Sequence, residues 1–404
     1  MTRYRNFPAP TICARVSTDS KLMAVYLDHN ATSPMHPEVV DAMLPFMRDP
    51  PGNPSSLHSY GRMARSALET ARGQVADLLR CVPADVVFTS GGTEANNLLV
   101  KGYVDMDDSR PVVSSEIEHP SILEPLRQLQ REGFPVSLLP VTGNGQIDLK
   151  AAGSSLAALK PQVLSIIYAN NETGVIQPLE ELAALVDRDS CLVHSDATQA
   201  VGKIDLDLSR LDIDALSFSA HKLRGPQGVG ALVVKRRPRK LLISGGEQEH
   251  KRRGGTENVV GIVGLGKAAQ LAGLEMERRR HYLRQLRDLF ETRLASIAGS
   301  VVFGQQAPRL PNTTYFALPY YHGETLLMEL DRAGYALSSG SACHSMVTEP
   351  SHVLTAMGVP HELALNAVRV SFGMNNSLQD VEMLSSKLQE LINKLPAVIR
   401  QAAV

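Results

Sequence analysis

Cysteine is scarce in this chain. The four that occur, Cys13, Cys81, Cys191 and Cys343, lie far apart and form no CxxC pair. That argues against a disulfide framework or a zinc site, and for a reducing compartment, the cytoplasm. A surplus of either charge is also missing. The formal net charge of −1 gives no global field that would draw in nucleic acid or an anionic membrane. No apolar run approaches a membrane span, so no membrane partner is expected. Residues 1–22 carry basic residues but no apolar signal core, so they read as a loose tail and not as a cleaved peptide. There is no internal repeat or low-complexity segment, and neither the GxGxxG nor the Walker phosphate loop is present.

What remains is a soluble globular composition, 43% hydrophobic and 21% charged over 404 residues, enough for two domains and a large core. The chain is organised around Asp214-Ala-Leu-Ser-Phe-Ser-Ala-His-Lys222 and the apolar run that ends at Val234. A polar turn holding Lys222, Gly225, Pro226, Gly228 and Gly230 separates two segments of strand character. A lysine held at a buried strand end has its pKa lowered and its lone pair freed for a carbonyl. The bland alternative is a surface lysine in a hairpin.

The flanking segments repeat one unit: strand, polar residue at the strand's C-terminal end, helix. Strands are expected over 86–90, 111–115, 164–169, 191–196 and 214–219. Helices are expected over 37–47, 62–79, from Gly91 onward, from near Ser121 and over 179–188. This order predicts a mostly parallel sheet wound with helices, with a ligand outside the C-terminal strand ends. Those ends supply Thr93, His119, Asn171, Asp196, Ser219 and Lys222. The glycine pair Gly91-Gly92 ahead of a helix start points free N–H groups at an anion. A basic, glycine-rich loop over 245–258 reads as anion-contacting. A long amphipathic helix over 260–297, with a break, leads to a smaller region. That region has strands at 312–317, 335–338 and 367–371 and a final helix at 378–395. There Cys343 sits in Ser338-Ser-Gly-Ser-Ala-Cys343, a loop of small residues that favours a reactive thiol over a structural one.

Nine segments in order carry a family resemblance over Tyr26 to about Gly373. They are Leu27-Asp-His-Asn-Ala-Thr, Asn53-Pro-Ser-Ser-Leu-His, Thr89-Ser-Gly-Gly-Thr-Glu-Ala-Asn-Asn, Glu118-His119, Asn170-Asn-Glu-Thr-Gly, Asp196-Ala-Thr-Gln199, Ser219-Ala-His-Lys222, Arg253-Gly-Gly-Thr256 and the Cys343 loop. The chain resembles the cysteine desulfurases of the NifS/IscS type, within the fold-type-I pyridoxal-phosphate enzymes. The resemblance implies an α/β fold, with a mostly parallel seven-stranded sheet in a large domain over 36–262. A smaller α+β domain, formed by 23–35 and 263–404, would carry the cysteine loop.

It also implies roles. Lys222 would hold pyridoxal 5'-phosphate as a Schiff base and move the Cα proton. Asp196 would pair with the pyridine nitrogen, making the ring an electron sink. Gln199 would bond the ring hydroxyl, and His119 would stack on the ring as acid/base. Gly92, Thr93, Ser219 and His221 would hold the phosphate, with Thr256 reaching it from the partner of a homodimer. Asn171, Arg369 and Asn30 would hold the substrate carboxylate. Cys343 would take sulfur from L-cysteine, leaving L-alanine, and pass it to an acceptor protein such as an iron–sulfur scaffold. No metal is implied. Taken singly, His119 reads equally as a capping histidine, Asp196 as a helix cap and Arg369 as half of a buried ion pair. Competing readings are a selenocysteine lyase or another pyridoxal-phosphate aminotransferase, and a non-catalytic scaffold.

Overall fold

The structure, a computed structural model, describes residues 25–48, 52–318, 320–340 and 349–395. Cys13, Cys343 and the 1–22 tail lie outside the described residues. The strands, in chain order, are β1 (Val25–Tyr26), β2 (Val86–Thr89), β3 (Val112–Ser115), β4 (Val136–Leu139), β5 (Val163–Ile167), β6 (Leu192–Asp196), β7 (Ala215–Ser219), β8 (Gly230–Val234), β9 (Val301–Val302), β10 (Thr313–Ala317), β11 (Tyr335–Ala336) and β12 (Ala367–Ser371). Seven of them form one sheet in the order β2-β8-β7-β6-β5-β3-β4. Only β8 runs against its neighbours β2 and β7. The other six therefore share one direction, and their C-terminal ends open on one side.

Strands β5 to β8 are buried at every residue, as expected of strands covered on both faces. Alternation assigns the faces. Val86, Phe88, Val113, Leu164, Val193, Leu216 and Val233 pack into a core shared with the helices Ser59–Leu79 and Val259–Leu294. Val87, Val112, Val163, Leu192, Ala215 and Leu232 pack on the other face, against the helices Gly92–Gly102 and Pro120–Arg131. On this second face the apolar residues fill the first half of each strand. The second half is polar and still buried: Ser114, Ser165, His194, Asp196, Ser217 and Ser219.

The second sheet, β12-β10-β9, closes over Phe290, Phe316 and Phe372, which meet edge to face at 5.6 and 5.8 Å. The chain start joins this region. β1 pairs with β11, and Leu27 lies in the same apolar cluster.

Four expectations need correction. The helix Val259–Leu294 is unbroken over 36 residues. Its Gly264 and Gly266 are contact points: a Cβ would meet Met43 Sδ at 2.6 Å and Ala71 Cα at 2.5 Å. This helix is also apolar and long enough to cross a membrane, contrary to the sequence reading, but just over half of that stretch is buried in the fold. The helix at 179 ends at Ala183, five residues short. Strand β4 and the helix Leu149–Leu159 were not foreseen. In the loop over 245–258 Arg252 and Arg253 turn inward, whereas Lys251 stays exposed. Arg252 bonds the carbonyl oxygens of Val234 and Ala84, Arg253 pairs with Glu94 at 2.8 Å, and Lys251 pairs with Glu247 at 2.7 Å. Buried Glu249 is held by Arg72 at 2.9 Å and by the Phe88 N–H at 2.9 Å.

Candidate active site

The C-terminal ends of β2, β3, β5, β6 and β7, with the turns that follow them, open into one cavity of about 1430 Å³. Asn30, Gly92, Thr93, His119, Asn171, Asp196, Gln199, Ser219, His221, Lys222 and Arg369 all line it. Thr256 is exposed and is not part of the lining.

Lys222 ends a 3₁₀ turn, Ala220–Lys222, between β7 and β8. The connection is a hairpin, yet the lysine is not on the surface. Its Nζ donates to the carbonyl oxygens of Asn30 and Ala31 at 2.5 and 2.6 Å. Burial, and next Arg369, pull its pKa down to about 8, against the opposing pull of Asp28 and Asp196. At neutral pH an appreciable fraction is the free amine.

His119 caps the helix Pro120–Arg131. Its Nδ1 accepts from the Ser121 N–H at 3.1 Å, so the neutral ring carries its proton on Nε2. Burial lowers its pKa, with Asp196 acting in the opposite sense. The capping reading and the cavity position are both true of this residue. Asp196 likewise caps the turn after β6, accepting from the Thr198 N–H at 2.9 Å through Oδ1, while Oδ2 accepts from Asn96 Nδ2 at 2.8 Å.

An anion finds a prepared seat. The helix Gly92–Gly102 starts at Gly91 with no side-chain cap, leaving its first N–H groups free. A Cβ on Gly92 would stand 3.0 Å from Thr198 Oγ1, so glycine keeps this approach open. Ser219 and His221 stand on the same wall. Burial, and then Lys222, bring the His221 pKa down to about 4. On the far side Arg369 is itself paired, donating to Asp28 Oδ1 at 2.6 Å and to the Asn171 carbonyl at 2.8 Å. Its Nε is buried and has no hydrogen-bond partner among the described residues. These features fit a phosphorylated cofactor with a carbonyl at one end and a carboxylate-bearing substrate at the other.

Several contributors escaped the sequence reading. Asn96, Ser121 and His194 hold Asp196 and His119 from behind. Asn96 sat within a recognised segment, and His194 stands two residues from Asp196 on one strand face, the one signal that pointed to it. Lys203 is a second lysine, buried and bonded to Asn30 Oδ1 at 2.8 Å and Gln199 Oε1 at 2.7 Å.

Residues 25–384 match the aminotransferase class-V family. The chain is 41% identical over 380 residues to the cysteine desulfurase IscS of Dictyoglomus turgidum, covering 93% of this chain and 96% of that protein. A solved NifS-like protein superposes with a TM-score of 0.86 at 35% identity, covering 92% of this chain and all of that one. SspA, solved in complex with cysteine, superposes with a TM-score of 0.76 at 30% identity over 86% of this chain and 98% of its own. The chain belongs to the class-V aminotransferase family, whose members depend in general on pyridoxal phosphate, and within it to the cysteine desulfurases.

Proposed function

We propose that the cavity binds pyridoxal 5'-phosphate and L-cysteine, releases L-alanine and leaves the sulfur on Cys343 as a persulfide. The balance is simple. The substrate Cβ–S bond breaks, an S–S bond forms to the Cys343 sulfur, and the thiol proton goes to the product carbon. No external oxidant or reductant is needed. The observation that carries the reading is the convergence of Lys222, His119, Asp196 and Arg369 on one cavity, with the lysine amine pulled down to about 8.

In this reading Lys222 bonds the cofactor and shuttles the Cα proton. The uncapped N–H groups at Gly92 and Thr93, with Ser219 and His221, hold the phosphate. Asp196 faces the pyridine nitrogen, Gln199 the ring hydroxyl and His119 the ring face. The cofactor, when bound, supplies the electron sink that acidifies Cα and loosens Cβ. Arg369, Asn171 and Asn30 hold the substrate carboxylate. SspA is solved with cysteine, which supports cysteine as substrate here.

The rest of the reading concerns assembly. The larger unit is 36–262, with 23–35 and 263–404 forming the smaller one, and the pairing of β1 with β11 supports that division. Thr256 can reach a phosphate only in another subunit, so the active form is a homodimer. The exposed apolar Leu57, Tyr60 and Met63 offer a face for the second copy. The sulfur then passes to an acceptor protein in the cytoplasm, such as an iron–sulfur scaffold.

The test is mass spectrometry of the protein after incubation with pyridoxal phosphate and L-cysteine. Alanine should appear, and Cys343 should gain one sulfur atom. Alanine without sulfur on any cysteine would refute the persulfide route, and no alanine would refute the function.

A further inference from the structure

The polar half of the second sheet face contains a histidine that touches nothing in the cavity. His194 is fully buried on β6, in register with Ser165 of β5 and two residues before Asp196. Ser217 of β7 is in register with Asp196. By strand alternation all four side chains lie on one face, beneath Asn96 and Ser121 of the covering helices.

Their hydrogen bonds have one consistent direction. The Ser121 N–H donates to His119 Nδ1, so that nitrogen only accepts. The carboxylate Asp196 Oδ2 also only accepts, so Asn96 turns its Nδ2 toward it at 2.8 Å. The same Nδ2 lies 2.8 Å from Ser121 Oγ and gives it the second proton. Ser121 Oγ therefore spends its own proton on His119 Nδ1, 2.7 Å away. Asn96 Oδ1 is left facing Ser217, whose hydroxyl donates to it. Ser217 Oγ must then accept, and the donor is His194 Nε2–H at 3.1 Å. His194 Nδ1 accepts from Ser165 Oγ at 2.9 Å. From Ser165 through His194, Ser217, Asn96 and Ser121, every donor in this chain points toward the cavity, and each group has one role that satisfies its neighbours.

We infer that His194 is a positioning residue. Through Ser217 and Asn96 it fixes the aim of the Asp196 carboxylate and of the Ser121 hydroxyl, which joins the Ser121 N–H on His119 Nδ1. The inference rests on the proposed roles of Asp196 and His119 as ring contacts. A neutral ring is required, and burial supplies it by holding the His194 pKa near 4. Without the His194 donor the Ser217 hydroxyl is free to turn away. Asn96 Oδ1 then becomes a buried acceptor with no partner, and its grip on Asp196 and Ser121 loosens.

The test uses full-length, cofactor-free protein labelled with ¹⁵N in histidine only. Long-range ¹H–¹⁵N spectra read which ring nitrogen carries the proton, and a separate titration with pyridoxal phosphate gives its Kd. In the unaltered protein both His119 and His194 should be proton-on-Nε2. Ser217→Ala and His194→Leu should leave His119 proton-on-Nε2, held by the Ser121 N–H, and weaken cofactor binding about tenfold. His194→Gln, whose amide keeps a donor toward Ser217, should restore the binding. Circular dichroism checks the fold, and Ser217→Ala, the smallest change, keeps the test open if His194→Leu does not fold. A proton on His194 Nδ1 in the unaltered protein would overturn the inference. An unchanged Kd in folded Ser217→Ala would also overturn it. The histidine readout needs no ligand, so loss of the function proposed above would leave it legible.

Discussion

Two lysines, Lys203 buried and Lys222 half-buried, share one neighbourhood, and they are built for different tasks. Lys222 lines the cavity, donates only to backbone oxygens of Asn30 and Ala31, and has its pKa pulled down to about 8. Lys203, 6% exposed, is absent from the cavity wall and sits between two side-chain amide oxygens. Burial lowers its pKa too, and the nearby cations Lys222 and Arg369 add to the effect. Among the described residues it forms no ion pair. A depressed lysine is therefore not enough to mark a nucleophile. Access decides: one amine faces ligand space, and the other spends its donors on orienting Gln199 and Asn30. With Oε1 held by Lys203, Gln199 must present Nε2 as its donor, which now reaches the Asn30 carbonyl at 2.9 Å.

The comparison breaks most visibly at Lys222. Lys222→Ala should lower alanine formation by about 10²–10⁴-fold while the protein still folds, measured as turnover at saturating L-cysteine. If Lys203 could substitute, that loss would be small. Lys203→Met is the next largest. It should leave covalent capture on Lys222 intact but weaken cofactor binding about tenfold, because Gln199 Oε1 loses its buried donor. An unchanged Kd would mean that Lys203 orients nothing.

A pH series sharpens the electrostatic half. Only the neutral amine attacks a carbonyl, so the rate of cofactor capture should rise with pH through about 8. Arg369 is a cation that depresses the Lys222 pKa. Arg369→Gln should therefore move that midpoint upward and slow capture at neutral pH, whereas a downward shift would contradict the assignment. The smallest effect belongs to the described cysteines. Burial raises Cys81 to about 12 and Cys191 to about 11, so both stay thiols. Cys81→Ser and Cys191→Ser should each keep turnover within about twofold, since neither thiol is a competent nucleophile.

The contrast between the lysines also separates what the sequence revealed from what it hid. Strand exits are local patterns, so Thr93, His119, Asn171, Asp196, Ser219 and Lys222 could be read in order before any coordinates. The seven-stranded sheet followed from the same repeat with the family resemblance. Lys203 was invisible because its partner Asn30 is 173 residues away, and Val201-Gly-Lys-Ile204 carries no mark of burial. In the loop over 245–258 the partners of the charges were hidden, because Arg253 meets Glu94 across 159 residues. Glu94 takes up Arg253, and the carbonyl oxygens of Val234 and Ala84 take up Arg252, through tertiary contacts. The long helix misled for a similar reason: Gly264 and Gly266 look like breaks and serve as contact points. β4 is a short strand at the sheet edge, partly exposed, with little apolar alternation to announce it.

The central claim is that Lys222, and not Lys203, is the lysine that bonds the cofactor. Borohydride reduction of the protein loaded with pyridoxal phosphate, followed by peptide mapping, tests it directly. The label should appear on the peptide containing Lys222 and on no other lysine. Label on Lys203, or an unlabelled Lys222 in protein that still turns over L-cysteine, would contradict the account.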